Sequence, residues 1–97
     1  MKNGIELIAE ERDEQVFKHN RSVKYDAENN KGMQLSKAAQ RLISPYTHWK
    51  TTICPPKWKK MIWRKMVKKE YKDRLIIAGA LIAAEIDRLQ YTEDHSG

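Results

Sequence analysis

The sequence predicts an all-α fold, a small helical bundle of three to four helices assembled as a dimer or higher oligomer. Three observations carry that expectation. Glycine and proline are scarce, at four and three of 97 residues, so few points break a helix. Alternating β-branched runs, the mark of strands, are absent. The segment from Leu75 to Leu89 instead repeats its apolar residues at three- and four-residue steps. The length suits one domain, residues 1–97. A chain of this size buries only roughly 60–65% of its unfolded surface, so a second copy would add to a thin core.

The first helix is predicted from Ile5 to about Phe17. Asn3 is a good N-cap and Glu6 follows three residues on, as in a capping box. Ile5, Ile8, Arg12 and Val16 fall near one face, widened by Leu7 and Ala9. Asn20–Gly32 is rich in Asn and charge, lacks periodicity, and reads as a long loop. The second helix is predicted from Met33, with Leu35, Ala38, Ala39 and Leu42 at amphipathic spacing. Ser44-Pro45 ends it, because proline disfavours helical geometry in the residue before it.

Tyr46–Pro56 reads as a connector, with Pro56 placed to begin a third helix over Lys57–Val67. Trp58, Met61, Ile62, Trp63, Met66 and Val67 would anchor that helix under a basic outer face. The last helix is predicted over Lys69–Tyr91, either continuous with the basic one or following it, with a frayed tail from Thr92. It is apolar most of the way round, so other protein should surround it. Gly79 in its interior costs roughly 1 kcal/mol against alanine, and close contact with another helix explains its presence.

Composition narrows the function classes. Cys54 is the only cysteine, which excludes an internal disulfide and a structural zinc site of the CxxC type and fits a reducing cytoplasm. Met1–Lys18 holds no continuous apolar run, so no signal peptide is expected. Leu75–Ala84, the longest apolar run, has ten residues against the about 20 that cross a bilayer. The expected location is the cytoplasm.

The net charge of +6 is uneven. Glu6, Glu10, Glu11, Asp13 and Glu14 crowd the first helix, while Lys50–Arg74 holds ten Lys or Arg against Glu70 and Asp73. Such a block attracts nucleic acid, a nucleotide, phosphate, an acidic protein surface, or the acidic helix of its own chain. Trp49, Trp58 and Trp63 interleave with Lys50, Lys57, Lys59, Lys60, Arg64 and Lys65. Stacking surfaces beside phosphate contacts would produce this pattern. Buried tryptophans under a solvated lysine face would produce it equally.

Glu85 projects from a largely apolar face and requires a cation, a donor or a metal. Glu70 and Asp73 share a helix face, as do Glu10 with Glu14 and Glu11 with Glu14, and either set offers oxygen ligands for Mg²⁺ or simple charge compensation. His19, His48 and His95 show no metal-ligand spacing, and Cys54 with His48 lacks a third partner. No glycine-rich phosphate loop occurs.

Two segments resemble a group of small phage and prophage proteins, which are related to the MazG-like, all-α nucleotide pyrophosphohydrolases. They are Gly4-Ile5-Glu6-Leu7-Ile8-Ala9-Glu10-Glu11-Arg12-Asp13-Glu14-Gln15 and Leu75-Ile76-Ile77-Ala78-Gly79-Ala80-Leu81-Ile82-Ala83-Ala84-Glu85-Ile86-Asp87-Arg88-Leu89. Gly32-Met33-Gln34-Leu35 with Ala38-Ala39 matches more loosely. The resemblance implies an oligomeric bundle, Mg²⁺ held by ExxE and ExxD carboxylates, and hydrolysis between the α- and β-phosphates of a nucleoside triphosphate. The chain departs from that pattern at Gln34 and Arg74, both positions where the group tends to place an acid. Asp73 stands one residue early, a turn of about 100° around the helix.

The expectation is therefore a phage-encoded, non-catalytic binding protein, without a cofactor, that sequesters an anionic nucleotide or nucleotide-derived signal of host defence. Trp58, Lys59, Lys60, Trp63, Arg64 and Lys65 would contact phosphate and base, and Glu85 would receive a base or ribose donor. One alternative is an Mg²⁺-dependent pyrophosphohydrolase with metal at Glu11, Glu14, Glu70 and Asp73, joined by Glu85. The other is an interaction protein that binds nucleic acid or blocks a host protein.

Overall fold

Five α-helices account for most of the residues described by the structure, a computed structural model: 1–19, 22–45 and 52–95. They are α1 (Gly4–His19), α2 (Val23–Asn29), α3 (Gln34–Leu42), α4 (Lys60–Val67) and α5 (Tyr71–His95). Among the described residues there is no strand, and the all-α expectation holds with five helices in place of three to four.

The capping box on α1 forms in both directions. The Glu6 amide donates to Asn3 Oδ1 at 2.9 Å, and the Asn3 amide donates to Glu6 Oε1 at 3.3 Å. The helix runs two residues past its expected end at Phe17. The segment read as a loop contains α2, capped where the Tyr25 amide donates to Ser22 Oγ at 3.1 Å. α2 shows no apolar period because what it turns inward is polar, namely Asp26 and Asn30.

Met33 is the N-cap of α3 and not its first residue, within one position of the start expected near it. It sits in the left-handed region at φ 64°, and the helix starts at Gln34. The Gln34 side chain closes the turn before it: Oε1 accepts from the Gly32 amide at 2.7 Å and Nε2 donates to the Asn29 carbonyl at 3.4 Å. Pro56 does not begin α4 either. Lys57 has φ 69°, and the Trp58 amide donates to the Pro55 carbonyl at 3.2 Å, so a turn delays the helix to Lys60.

α4 and α5 are separate, with Lys68–Glu70 between them. Arg74 holds that junction. Its Nε donates to the Lys69 carbonyl at 3.2 Å, and its Nη1 donates to the Leu42 and Ser44 carbonyls at 3.0 and 2.8 Å. A guanidinium thus satisfies carbonyls that the end of α3 would leave orphaned. α5 continues to His95, through the tail that begins at Thr92, and Thr92 Oγ1 donates to the Arg88 carbonyl at 3.0 Å.

α5 packs against α1, α2, α3 and α4. Leu35, Ala38, Ala39 and Leu42 of α3 meet Ile77, Ala78, Leu81 and Ala84 of α5, closed at one end by Trp63 and Val67 of α4. Full burial of each large apolar side chain contributes about 1.5–3 kcal/mol. At Gly79 the expected close approach is present, since a Cβ there would lie 2.6 Å from Ile8 Cδ1. The chain does not wrap α5 completely: Leu75, Ile82, Ile86 and Leu89 are 39%, 47%, 52% and 47% exposed. Among the described residues no helix is long and apolar enough to cross a membrane.

Candidate functional site: a cleft between α1 and α4

The residues predicted to bind a ligand separate into two environments. Lys59, Lys60, Arg64 and Lys65 are exposed along α4 and its approach. Trp63 is 2% exposed and belongs to the core. Trp58 is half-buried, meets Trp63 edge-on at a centroid distance of 6.0 Å, and donates from Nε1 to Asn30 Oδ1 at 2.9 Å. Of the two arrangements that suited the tryptophan pattern, Trp63 takes the buried one, and Trp58 is partly covered. A base has no open ring face to stack on at Trp63. His48, Trp49 and Lys50 lie outside the described residues, as do the side chains of His19 and His95.

Glu85 is buried and accepts a hydrogen bond from Arg88 Nε, one helical turn on. That bond, with the charges of Glu85 and Asp26 adding to it against the cost of burial, holds the Arg88 guanidinium above its ordinary pKa. Arg12 extends the seam, with Nη2 at 4.0 Å from Asp26 Oδ2 and 3.6 Å from Asp87 Oδ2. Asn30 Nδ2 donates to Asp26 Oδ1 at 2.9 Å. Asp26 is fully buried, so this network of opposite charges and amide bonds is what makes its burial tolerable. It binds α1, α2, α5 and Trp58 to one another.

The carboxylates proposed for Mg²⁺ do not gather. Glu14, Glu70 and Asp73 are exposed and Glu11 is half-buried. Among the described residues no group of three or more His, Cys, Asp or Glu side chains is arranged to hold a metal ion. Cys54 lies near the Pro55 and Trp58 carbonyls, each 3.5 Å from Sγ. Burial pushes its thiol pKa up, and the nearby charges of Lys60 and Arg41 only partly pull it back.

Glu11, Glu14 and Lys65 do come together, with partners the sequence did not single out. They line a cleft of about 340 Å³ between α1 and α4, a size within the roughly 300–1,000 Å³ of small-molecule sites. One wall is α1, with Glu11, Glu14 and Gln15. The other is α4, with Ile62, Lys65 and Met66, extended by Lys69 and by Ile77 of α5. Gln15 and Ile77, both buried, form the floor. Both amide atoms of Gln15 are closed to solvent, and among the described residues neither has a hydrogen-bond partner. Among the described residues no carboxylate pairs with the ammonium of Lys65 or Lys69, whereas Glu14 has Lys18 at 3.8 Å.

The cleft therefore offers carboxylates on one side, ammonium groups on the other, and an apolar lining between them. Sequence reasoning missed Gln15 because a glutamine on a helix looks solvated until a neighbouring helix covers it. Compared with protein-family models, curated proteins and solved structures, the chain matches none of them.

Proposed function

We propose that this chain is a non-catalytic binding protein that holds an anionic nucleotide or nucleotide-derived signal in the cleft between α1 and α4. One observation supports the reading: Lys65 and Lys69, whose ammonium groups have no paired carboxylate among the described residues, border an apolar-lined cleft of ligand size. Ammonium groups act as point charges toward phosphate, and Ile62, Met66 and Ile77 give a heterocycle an apolar surface. The exposed cations beside them, Lys60, Arg64 and Lys68, strengthen the local positive field. The scattered carboxylates favour holding over hydrolysis. In the phage setting that the sequence resemblance implies, such a protein would sequester a nucleotide signal of host defence.

The partner of the whole chain is proposed to be a second copy. Leu75, Ile82, Ile86 and Leu89 form one exposed stripe on α5 at seven-, four- and three-residue steps. The stripe is nearly symmetric about Ile82, so an antiparallel copy sets Leu75 against Leu89 and brings Lys72 toward Glu93. Opposite charges then meet at both ends, and the helix dipoles oppose each other. Light scattering on the purified chain is expected to read twice the monomer mass.

The ligand test is calorimetry with mass spectrometry across nucleoside mono-, di- and triphosphates and cyclic nucleotides, with and without Mg²⁺. At least one nucleotide should bind and be recovered intact in both conditions. The double variant Lys65→Glu, Lys69→Glu should lose about tenfold or more in affinity. Unchanged affinity in that variant, or release of pyrophosphate on adding Mg²⁺, would overturn the reading.

A further inference from the structure

The two sides of α4 differ in kind. Trp63 and Val67 are buried, and Ile62 and Met66 are half-buried. Lys60, Met61, Arg64, Lys65 and the C-cap residue Lys68 are exposed. Residues 57–69 hold seven Lys or Arg and no Asp or Glu, so nothing within the segment offsets the charge. Among the described residues no carboxylate pairs with Lys60 or Arg64. Lys60, Arg64 and Lys68 follow one another at four-residue steps, which sets them along one side of the helix as a track about 12 Å long.

The charges also stand against the stability of the helix that carries them. The positive end of the α4 dipole has no acidic residue in its first turn and no side-chain cap, and Lys59 and Lys60 occupy it instead. Folding alone does not favour cations there. A bound anion relieves the repulsion.

The composition of the face selects the partner. Met61 is the one large apolar side chain that α4 exposes. A membrane surface takes up the apolar side of a helix, and that side of α4 is packed in the core. Protein interfaces are depleted in Lys. Single strands stack their bases on open aromatic rings; here Trp63 is sealed, and Trp58 is half-buried beside it. A duplex requires only cations at its phosphates, and it presents about one negative charge per 1.7 Å of axis.

We infer that the outward face of α4, through Lys60, Arg64 and Lys68, docks on the phosphate backbone of double-stranded nucleic acid without reading its bases. Phosphate contacts position a protein and carry no sequence information. Glu14 on α1 and Glu70 beyond the end of α4 are exposed and repelled by the same backbone, which confines the footprint to this helix. The three cations are not among the residues that line the cleft, so the inference goes beyond the nucleotide reading and does not depend on it.

The test is fluorescence anisotropy of the whole chain with two labelled DNA duplexes of different sequence and a single strand of the same length. Co-sedimentation with phosphatidylserine vesicles is run beside it. The two duplexes should bind alike and more tightly than the single strand. Raising the salt from about 50 to 200 mM should weaken duplex binding roughly 40-fold, the counterion release of about three phosphate contacts. Lys60→Glu with Arg64→Glu should weaken it about tenfold or more at the lower salt and reduce the salt slope by about two. Both positions are exposed, so the variant should melt as the wild type does, and the wild-type salt slope needs no variant. Duplex affinity that is insensitive to salt, unchanged in the variant or different between the two sequences would overturn the inference. So would binding to the single strand or the vesicles alone, or to none of these. Nucleotide binding in the cleft is read separately, from Lys65 and Lys69.

Discussion

Gly79 shows two opposed terms at one position. Alanine there would gain roughly 1 kcal/mol of helix propensity. Its Cβ would also arrive 2.6 Å from Ile8 Cδ1 and 2.9 Å from Cγ1, well inside contact distance. Overpacking of that kind costs about 1–3 kcal/mol. Gly79→Ala is therefore expected to destabilise the fold by about 1 kcal/mol in thermal denaturation, and Gly79→Ala with Ile8→Ala should be less perturbed than the two effects summed. The glycine was legible in the sequence because an interior glycine in a strong helix already demands a reason. Gln15 was not legible, because an ordinary helical amide becomes a buried one only when other helices pack against α1. Glu85 was legible as a carboxylate in need of a partner, and that partner is Arg88, three residues along its own helix.

At the scale of elements, apolar period and capping chemistry read correctly wherever a helix buries aliphatic side chains. α3 and α5 were visible from Leu35, Ala38, Leu42 and from Ile77, Leu81, Ala84. α2 was not, since its hold on the fold runs through Asp26 and Asn30. The start of α4 was misread because Pro56 suits a first helical turn, while Lys57 at φ 69° breaks the run that follows it. The polar hold on α2 is the stronger claim to test. Asp26→Ala would leave Arg12 and Asn30 facing a void where a carboxylate had been. Breaking one side of a buried pair costs about 3–5 kcal/mol, and the nearby Asp87 should keep the loss near 3 kcal/mol. Chemical denaturation checks this. A loss under about 1 kcal/mol would show that the network is incidental to the fold.

Across the whole molecule, the exposed stripe on α5 and the cleft lie on different sets of residues, so assembly and ligand binding should be separable. Ile82→Asp places a charge at the centre of the proposed antiparallel seam. It is expected to halve the mass read by light scattering while leaving the affinity for nucleotide unchanged within a factor of about two. A dimer that survives this change would place the interface elsewhere. The all-α class was readable from composition and periodicity. The number of helices was not, because the extra helix lacks the apolar rhythm that marks the others.

The hydrogen bond from Trp58 to Asn30 spans 28 residues of chain and ties the C-cap of α2 to the approach to α4. A helix of seven residues has too few turns to persist in isolation. α2 will therefore open as a local unit on a faster clock than the core, and its backbone amides will exchange with solvent while those of α5 stay protected. Each such opening releases the Trp58 indole from its acceptor. Opening of α2 is therefore expected to change the emission of the contacting Trp58–Trp63 pair before the whole fold gives way.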